Sequence, residues 1–427
     1  MVMKIAIITA GGAGMFCGSC MQDNTLTRAL RMAVDDAVLV PTYTPIRVDE
    51  DNVSNSKVYL GGVNVYLDSM LPGWKRLPGW MTHWLNRPAL ISWLTKFGAS
   101  TDASKLGSLT LDMLKGNHGP QRREVREFVD FLCHELQPDL IIFSNALLSG
   151  VLTELRPRYS GKILCLLQGD DVFLEDLSTK WKQPVLQQMQ QNCQAFDGFL
   201  THSRYYQDFM ADYLNLPAEK FRQIPLTIDT QTIASAASST LPKRETFRIG
   251  YFARICPQKG VQNLLAAASE VFYAIPNAEI AIAGFLPEQH RAWFEHLLRE
   301  ASLKFPDRIH WLGGPAERGD KFQMIQNFDV LCVPTDYHEP KGLYVLEAAA
   351  VGVSSIVPSH GAFPELITAL EHGQTYAAGS GADLVQALIS AASDKTADGA
   401  ALRNRVEREF GIKTTGTFIA QVLRSFG

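Results

Sequence analysis

Short apolar runs of strand length alternate with helix-length stretches along most of this chain, and that rhythm leaves few folds open. In the first half the runs lie near Lys4–Thr9, Ala37–Pro41, Asp139–Phe143, Ile163–Leu167 and Gly198–Thr201. In the second half they lie near Arg248–Ala253, Glu279–Ala283, Ile309–Leu312, Val330–Val333 and Ser355–Val357. Strands that are apolar nearly throughout are covered on both faces, which calls for parallel sheets with helices above and below. A chain of 427 residues exceeds one ordinary core and suits two such α/β domains. The small, polar stretch Ser235–Thr240 reads as the linker, dividing the chain at about 240/241.

Composition removes several classes of function. A formal net charge of −4 gives no electrostatic reason to expect nucleic-acid binding. No apolar run approaches the roughly 18 residues of a membrane span. Met3-Lys4 leads straight into Ile5-Ala6-Ile7-Ile8, which reads as a buried strand without the cleavage pattern of a secretory leader. Seven cysteines, an odd number scattered over both halves, fit reduced thiols, so a cytoplasmic protein is expected. The insert from Thr42 to about Gln121 breaks the βα rhythm. Its segment 71–98 holds Trp74, Trp80, Trp84 and Trp93 with Lys75, Arg76, Arg87 and Lys96, and no acidic residue. Tryptophans among basic residues suit peripheral contact with the inner membrane surface, and they suit packing of a cleft wall or an intersubunit contact as well. Prolines at 72, 78 and 88 weigh against one long amphipathic helix there.

The most informative local pattern is Glu339-Pro340-Lys341-Gly342-Leu343-Tyr344-Val345-Leu346-Glu347. It follows the apolar run ending at Val333-Pro334 and opens into an alanine-rich stretch of helical character, so Gly342 falls where a strand gives way to a helix. A helix start leaves backbone N–H groups unpaired and carries partial positive charge, and a phosphate is the natural occupant. One glutamate precedes that anion site and the other lies about one turn into the helix. Two acceptors flanking an anion cradle suit a sugar nucleotide, one carboxylate for the sugar and one for the ribose.

Three segments together carry a family likeness: Ile249–Arg254 with Pro257-Gln258-Lys259-Gly260, the Glu339–Glu347 stretch running on to Gly352, and Ser359-His360-Gly361-Ala362-Phe363-Pro364-Glu365. They resemble the nucleotide-sugar-binding half of the family-4 retaining glycosyltransferases of the GT-B architecture. The likeness implies an α/β fold of two Rossmann-like parallel-sheet domains facing a central cleft. It implies an acceptor-side domain over 1–240, a donor domain over 241–410, and a final helix within 411–427 that crosses back to the first domain. It implies that Arg254 and Lys259 hold the diphosphate, and that the amides of Gly342, Leu343 and Tyr344 meet the distal phosphate. Glu339 is then the ligand of the donor sugar and Glu347 that of the ribose. Lys341 departs from the pattern, which usually has an aromatic residue there, and either adds a donor contact or points to solvent.

The first strand ends in a glycine loop, Ala10-Gly11-Gly12-Ala13-Gly14, followed by Cys17-Gly18-Ser19-Cys20 and a helix. A dinucleotide site does not fit: Cys17 stands where G-x-G-x-x-G needs its last glycine, and Pro41-Thr42-Tyr43 lacks the acid for the ribose. The likeness makes it the loop that approaches the donor, with Gly14 and Gly18 as donor-binding glycines. Cys17 and Cys20 stand at a helix start, a setting that lowers a thiol pKa, yet small residues filling a tight loop are favoured over redox or metal work. Gln168 occupies a position where the family commonly has histidine and is expected to orient the donor sugar without moving protons. Asn145, Asp170 and Asp171 are the acceptor-side candidates, although the aspartates equally suit helix capping. Asp49-Glu50-Asp51 spells the D-x-D of the other main glycosyltransferase fold, but it lies in a polar stretch, so no catalytic metal and no cofactor are expected.

The expected activity is metal-independent, retaining transfer from a UDP, GDP or ADP sugar to a carbohydrate or lipid-linked acceptor, by a front-face route. An epimerase or hydrolase of the same fold, or a silent sugar-nucleotide-binding subunit, are the alternatives. The missing histidine at Gln168 weighs against the first, and the complete set Arg254, Lys259, Glu339 and Glu347 against the second.

Overall fold

The structure, a computed structural model, describes residues 2–11, 17–33, 36–55, 57–60, 103–237, 244–394 and 398–426. Gly14 and the tryptophan-rich segment 71–98 lie outside the described residues. The chain divides into two compact units, Met1–Thr227 with Thr415–Gly427, and Ile228–Thr414.

The first unit holds β1 (Lys4–Thr9), β2 (Asp36–Pro41), β3 (Leu140–Phe143), β4 (Lys162–Leu166), β5 (Gly198–Thr201) and β6 (Phe221–Gln223). They pair in the order β2-β1-β3-β4-β5-β6, all parallel. Alternation along β1 sends Ala6 and Ile8 into the apolar cluster on one face and Ile5 and Ile7 into the cluster on the other. The helices Gly18–Met32 and Ile412–Arg424 cover the second of these faces, where Leu26, Ile419, Ala420 and Leu423 join Ile5 and Ile7.

The second unit holds β7 (Phe247–Phe252), β8 (Ala278–Ala283), β9 (Ile309–Trp311), β10 (Val330–Cys332), β11 (Ser355–Pro358) and β12 (Gln374–Tyr376). Its order is β12-β11-β10-β7-β8-β9, again parallel. From β7 the chain builds outward through β8 to β9, then returns to place β10 on the other side of β7 and builds outward again. The reversal puts a topological switch point between β7 and β10, and ligands of such sheets bind beyond the carboxyl ends of the strands there.

Two differences from the sequence expectations have simple causes. The short edge strands β6 and β12 were not expected: each is mostly polar, and only Phe221 and Tyr376 in them are buried. The units divide at 227/228, ahead of Ser235–Thr240, and the helix Thr230–Ala236 takes up the first two residues of the expected linker. Asp229 caps it by accepting from Thr232 N at 3.2 Å, and Ile233 buries its apolar side. Among the described residues no helix is long and apolar enough to cross a membrane.

Candidate functional site

Both strands at the switch point of the second unit deliver a site loop. After β7 the chain runs through Arg254 into the turn Pro257–Lys259, and Gly260 then starts the helix Val261–Ala274. Gly260 has φ +72°, and a Cβ there would lie 1.8 Å from the Pro334 carbonyl oxygen. Only glycine lets the two loops approach so closely. The β10 loop is fastened to this turn: Thr335 Oγ1 donates to the Gln258 carbonyl at 2.6 Å, and Tyr337 N donates to the same oxygen at 3.3 Å. The loop then presents Glu339 and reaches Gly342, whose φ of +76° turns the chain into the helix Leu343–Ala350. Ala362 N, from the segment after β11, donates to the Glu339 carbonyl at 2.8 Å and fixes the loop from behind.

The side chains converge. Lys259 Nζ forms an ion pair with Glu339 Oε1, and the Tyr344 hydroxyl donates to the same carboxylate oxygen at 3.3 Å. The rings of Tyr337 and Tyr344 lie 5.2 and 5.5 Å from the ammonium, close enough for cation–π attraction. Burial, then the like charges of Arg254 and Lys341, push the Lys259 ammonium down to about 7, against the pull of its carboxylate partner. Lys341 is buried, which excludes the solvent-pointing alternative. Glu347, one turn into the helix, is also buried, and its Oε1 accepts from Lys321 Nζ at 2.7 Å. Behind Glu339, His338 and His360 stack at 4.4 Å, and His360 Nε2 lies 3.1 Å from the Thr335 carbonyl oxygen. A separate cavity of about 390 Å³, between the helices Val261–Ala274 and Gly381–Ser393, contains none of the expected site residues.

Thus Lys259, Glu339, Gly342, Leu343 and Tyr344 meet at one place, with Arg254 near enough for its charge to act on Lys259. Lys321, Tyr337 and the two histidines were not singled out from sequence. His338 adjoins Glu339 and was open to notice, whereas Lys321 sits in the helix Arg318–Gln326 with no motif around it.

In the first unit the structure separates the candidates. Ser19 Oγ donates to the Gln168 carbonyl at 3.4 Å, bringing the helix start at Gly18 to the loop after β4. Gln168 Nε2 donates to Asp23 Oδ1 at 2.7 Å, so its amide is oriented by a buried carboxylate. The three acceptor candidates all hold hydrogen bonds within the unit. Asn145 Oδ1 accepts from Leu147 N at 2.7 Å. Asp170 accepts from Ala146 N at 2.5 Å and Gln168 N at 2.9 Å, and burial raises its carboxyl to about 6. Asp171 accepts from the Tyr206 hydroxyl at 2.6 Å, and that hydroxyl accepts in turn from Gly169 N and Asp170 N. Asp170 thus ties the loops beyond β3 and β4, Asp171 ties the second of them to Tyr206, and the start of the helix Asp170–Glu175 carries no side-chain cap. Glu50, the middle residue of the D-x-D, is anchored to the helix Gly18–Met32 by Asn24, Thr25 and Arg28. Cys20 departs from the helix-start expectation: its hydrogen bond with Cys17 and its burial push the thiol up.

Known proteins resemble this chain in sequence over part of its length and in fold over nearly all of it. Residues 235–409 match the family model described as Glycosyl transferases group 1. The GDP-mannose-dependent monoacylated alpha-(1-6)-phosphatidylinositol monomannoside mannosyltransferase of Corynebacterium glutamicum is 28% identical over 183 residues, 40% of this chain and 46% of that protein. The lipopolysaccharide core biosynthesis mannosyltransferase LpsB of Rhizobium meliloti is 30% identical over 184 residues, 42% of this chain and 51% of that protein. The alignments with such curated relatives cover between 43% and 60% of the relatives' length. Whole-chain likeness comes from structures. Anabaena HepE in complex with UDP superposes with a TM-score of 0.66 at 17% identity, covering 99% of this chain and 100% of that one. Sucrose-phosphate synthase from Thermosynechococcus elongatus gives 0.69 at 18%, covering 99% and 98%. The fold is that of the GT-B glycosyltransferases. The expected pair of parallel-sheet Rossmann-like units is thereby found, and the group 1 match spans most of the second of them.

Proposed function

We propose that this chain is a retaining, metal-independent glycosyltransferase that takes a sugar from a nucleoside-diphosphate sugar. The observation that carries this is the meeting of Lys259, Glu339 and Tyr344 with the start of the helix Leu343–Ala350 at the switch point of the second sheet. A diphosphate seated there would face Arg254, Lys259 and the first amides of the helix, with Glu339 on the sugar side and Glu347 on the ribose side. Relatives named for GDP-mannose and structures bound to UDP or UDP-glucose support the donor class. Names that include phosphatidylinositol mannosides, lipopolysaccharide core and sucrose phosphate support a carbohydrate or lipid-linked acceptor.

In the front-face route the bond from the anomeric carbon to the diphosphate oxygen breaks while the acceptor oxygen attacks from the same side. The acceptor proton passes to the departing diphosphate. The protein's part is to hold charge: Arg254 and Lys259 face the oxygens on which negative charge grows. Tyr344, donating to Glu339, steadies the carboxylate that accepts from sugar hydroxyls. The decisive test supplies UDP, GDP and ADP sugars with and without candidate acceptors. Free nucleoside diphosphate is expected only with acceptor, and EDTA is expected to leave the rate essentially intact. Release without acceptor indicates a hydrolase, and loss with EDTA reversed by magnesium or manganese overturns metal independence.

A pH dependence follows from Lys259. Its ammonium is charged below about 7 and loses its proton above that value in the donor-free chain. A bound diphosphate favours the charged form, so donor binding is expected to take up a proton and to weaken as pH rises through 7 to 8. Calorimetry in buffers of different ionisation enthalpy reads this directly. A proton count of zero at pH 8 would remove Lys259 from the diphosphate site.

A further inference from the structure

Lys321 stands out among the residues left unassigned so far. A lysine usually carries its ammonium to water along a flexible stem. Lys321 is 6% exposed, and its partner Glu347 is 7% exposed. Taking both charges out of water is costly, and apolar side chains of similar volume would fill the same space more cheaply. The helix that carries Lys321 is held firmly. A capping box between Glu317 and Asp320 fixes its start, and Phe322 and Ile325 are buried beneath it. Lys321 is thus presented inward to the one acid of the helix Leu343–Ala350. The pair occupies Oε1 of Glu347, and among the described residues no hydrogen bond is made to Oε2.

We propose that Lys321 is a positioning residue for donor binding: its ammonium holds the Glu347 carboxylate in one orientation, so that Oε2 meets the ribose hydroxyls of the nucleotide. This rests on the donor-site reading of Glu347 given above. A carboxylate side chain with free rotation presents its oxygens in several poses, whereas a charge-assisted hydrogen bond to one oxygen fixes the direction of the other. Lys321 supplies that bond without touching the ligand. Arginine can keep the charge and the hydrogen bond, and methionine keeps only the volume.

The test reads ribose recognition alone. Calorimetric titration is made with whichever of UDP, GDP and ADP binds the wild-type chain most tightly, and with its 2′,3′-dideoxy analogue. The wild type is expected to prefer the ribose form by roughly ten- to a hundredfold, the range of a charge-assisted hydrogen bond. Glu347→Gln and Lys321→Met are both expected to bring that ratio near one, and Lys321→Arg to restore most of it. Loss of a packing residue alone would weaken both ligands equally and leave the ratio unchanged. An unchanged ratio in Lys321→Met, with a lost one in Glu347→Gln, overturns the role of Lys321 and leaves the donor site standing. An unchanged ratio in Glu347→Gln overturns the ribose assignment beneath it. Because Lys321→Met leaves a buried carboxylate unpaired and is liable to misfold, the charge-free variant Lys321→Met with Glu347→Gln is measured as well. Its ratio is expected to equal that of Glu347→Gln, and any further fall means that Lys321 touches the nucleotide itself and ends the positioning role.

Discussion

Arg254→Ala is expected to lower turnover at saturating donor by roughly two to three powers of ten, the size of a lost oxyanion-type contact. Arg254 is exposed at the carboxyl end of β7, and its charge reaches Lys259 and His290. An exposed arginine beside a buried lysine is poorly placed to stabilise the fold and well placed to meet an incoming anion. Affinity for the nucleotide should fall less than turnover, because Lys259 and the helix amides remain. The variant should also raise the Lys259 pKa by removing a like charge, shifting the pH profile of donor binding upward. Turnover near the wild-type value would take Arg254 out of the site.

The two glutamates are expected to fail in different ways. Glu339→Gln should lower kcat by roughly ten- to a hundredfold, the range of a charge-assisted hydrogen bond, with a smaller rise in donor KM. On the proposed reading Glu339 faces the sugar, where positive charge develops as the donor bond breaks, so its contact strengthens at that moment. It also neutralises Lys259, and the amide would leave that buried ammonium without its partner. Glu347→Gln should act chiefly on KM, by about tenfold, because a grip on ribose is the same before and during transfer. Steady-state kinetics of both variants with one donor decide the matter. If both change only KM, or Glu347 carries the larger kcat loss, the assigned roles are reversed or wrong.

Legibility in the sequence followed how local each determinant is. The central strands were readable because burial on both faces makes them continuously apolar, as in Ile5–Ile8 and Leu140–Phe143. The edge strands Phe221–Gln223 and Gln374–Tyr376 escaped because a half-exposed three-residue strand carries no such run. The junction at Gly342 was readable for a similar reason: strand, left-handed glycine and helix follow one another along the chain. Lys321 was not, since it meets Glu347 across 26 residues and through the packing of two helices. Asp170 and Asp171 supported two readings because their chemistry suits both hydroxyl binding and capping. In the structure they engage Ala146 N and the Tyr206 hydroxyl, partners that no local pattern encodes. The raised Cys20 thiol could not be read in the sequence, because its place at a helix start is visible there and its hydrogen bond with Cys17 and its burial are not.

The membership of Thr415–Gly427 in the first unit bears on how the chain is made. These residues are made after the whole of the second unit, yet Ile419, Ala420 and Leu423 complete the apolar layer around Ile5, Ile7 and Leu26. While residues 228–414 are being translated, the earlier unit waits with part of that layer open to water. The later unit holds all six strands of its own sheet within one continuous stretch and can close as soon as it emerges. Order of completion therefore inverts order of synthesis. The nascent chain carries an uncovered apolar strip while the whole second unit is made, the kind of surface on which chaperones act and from which aggregation starts.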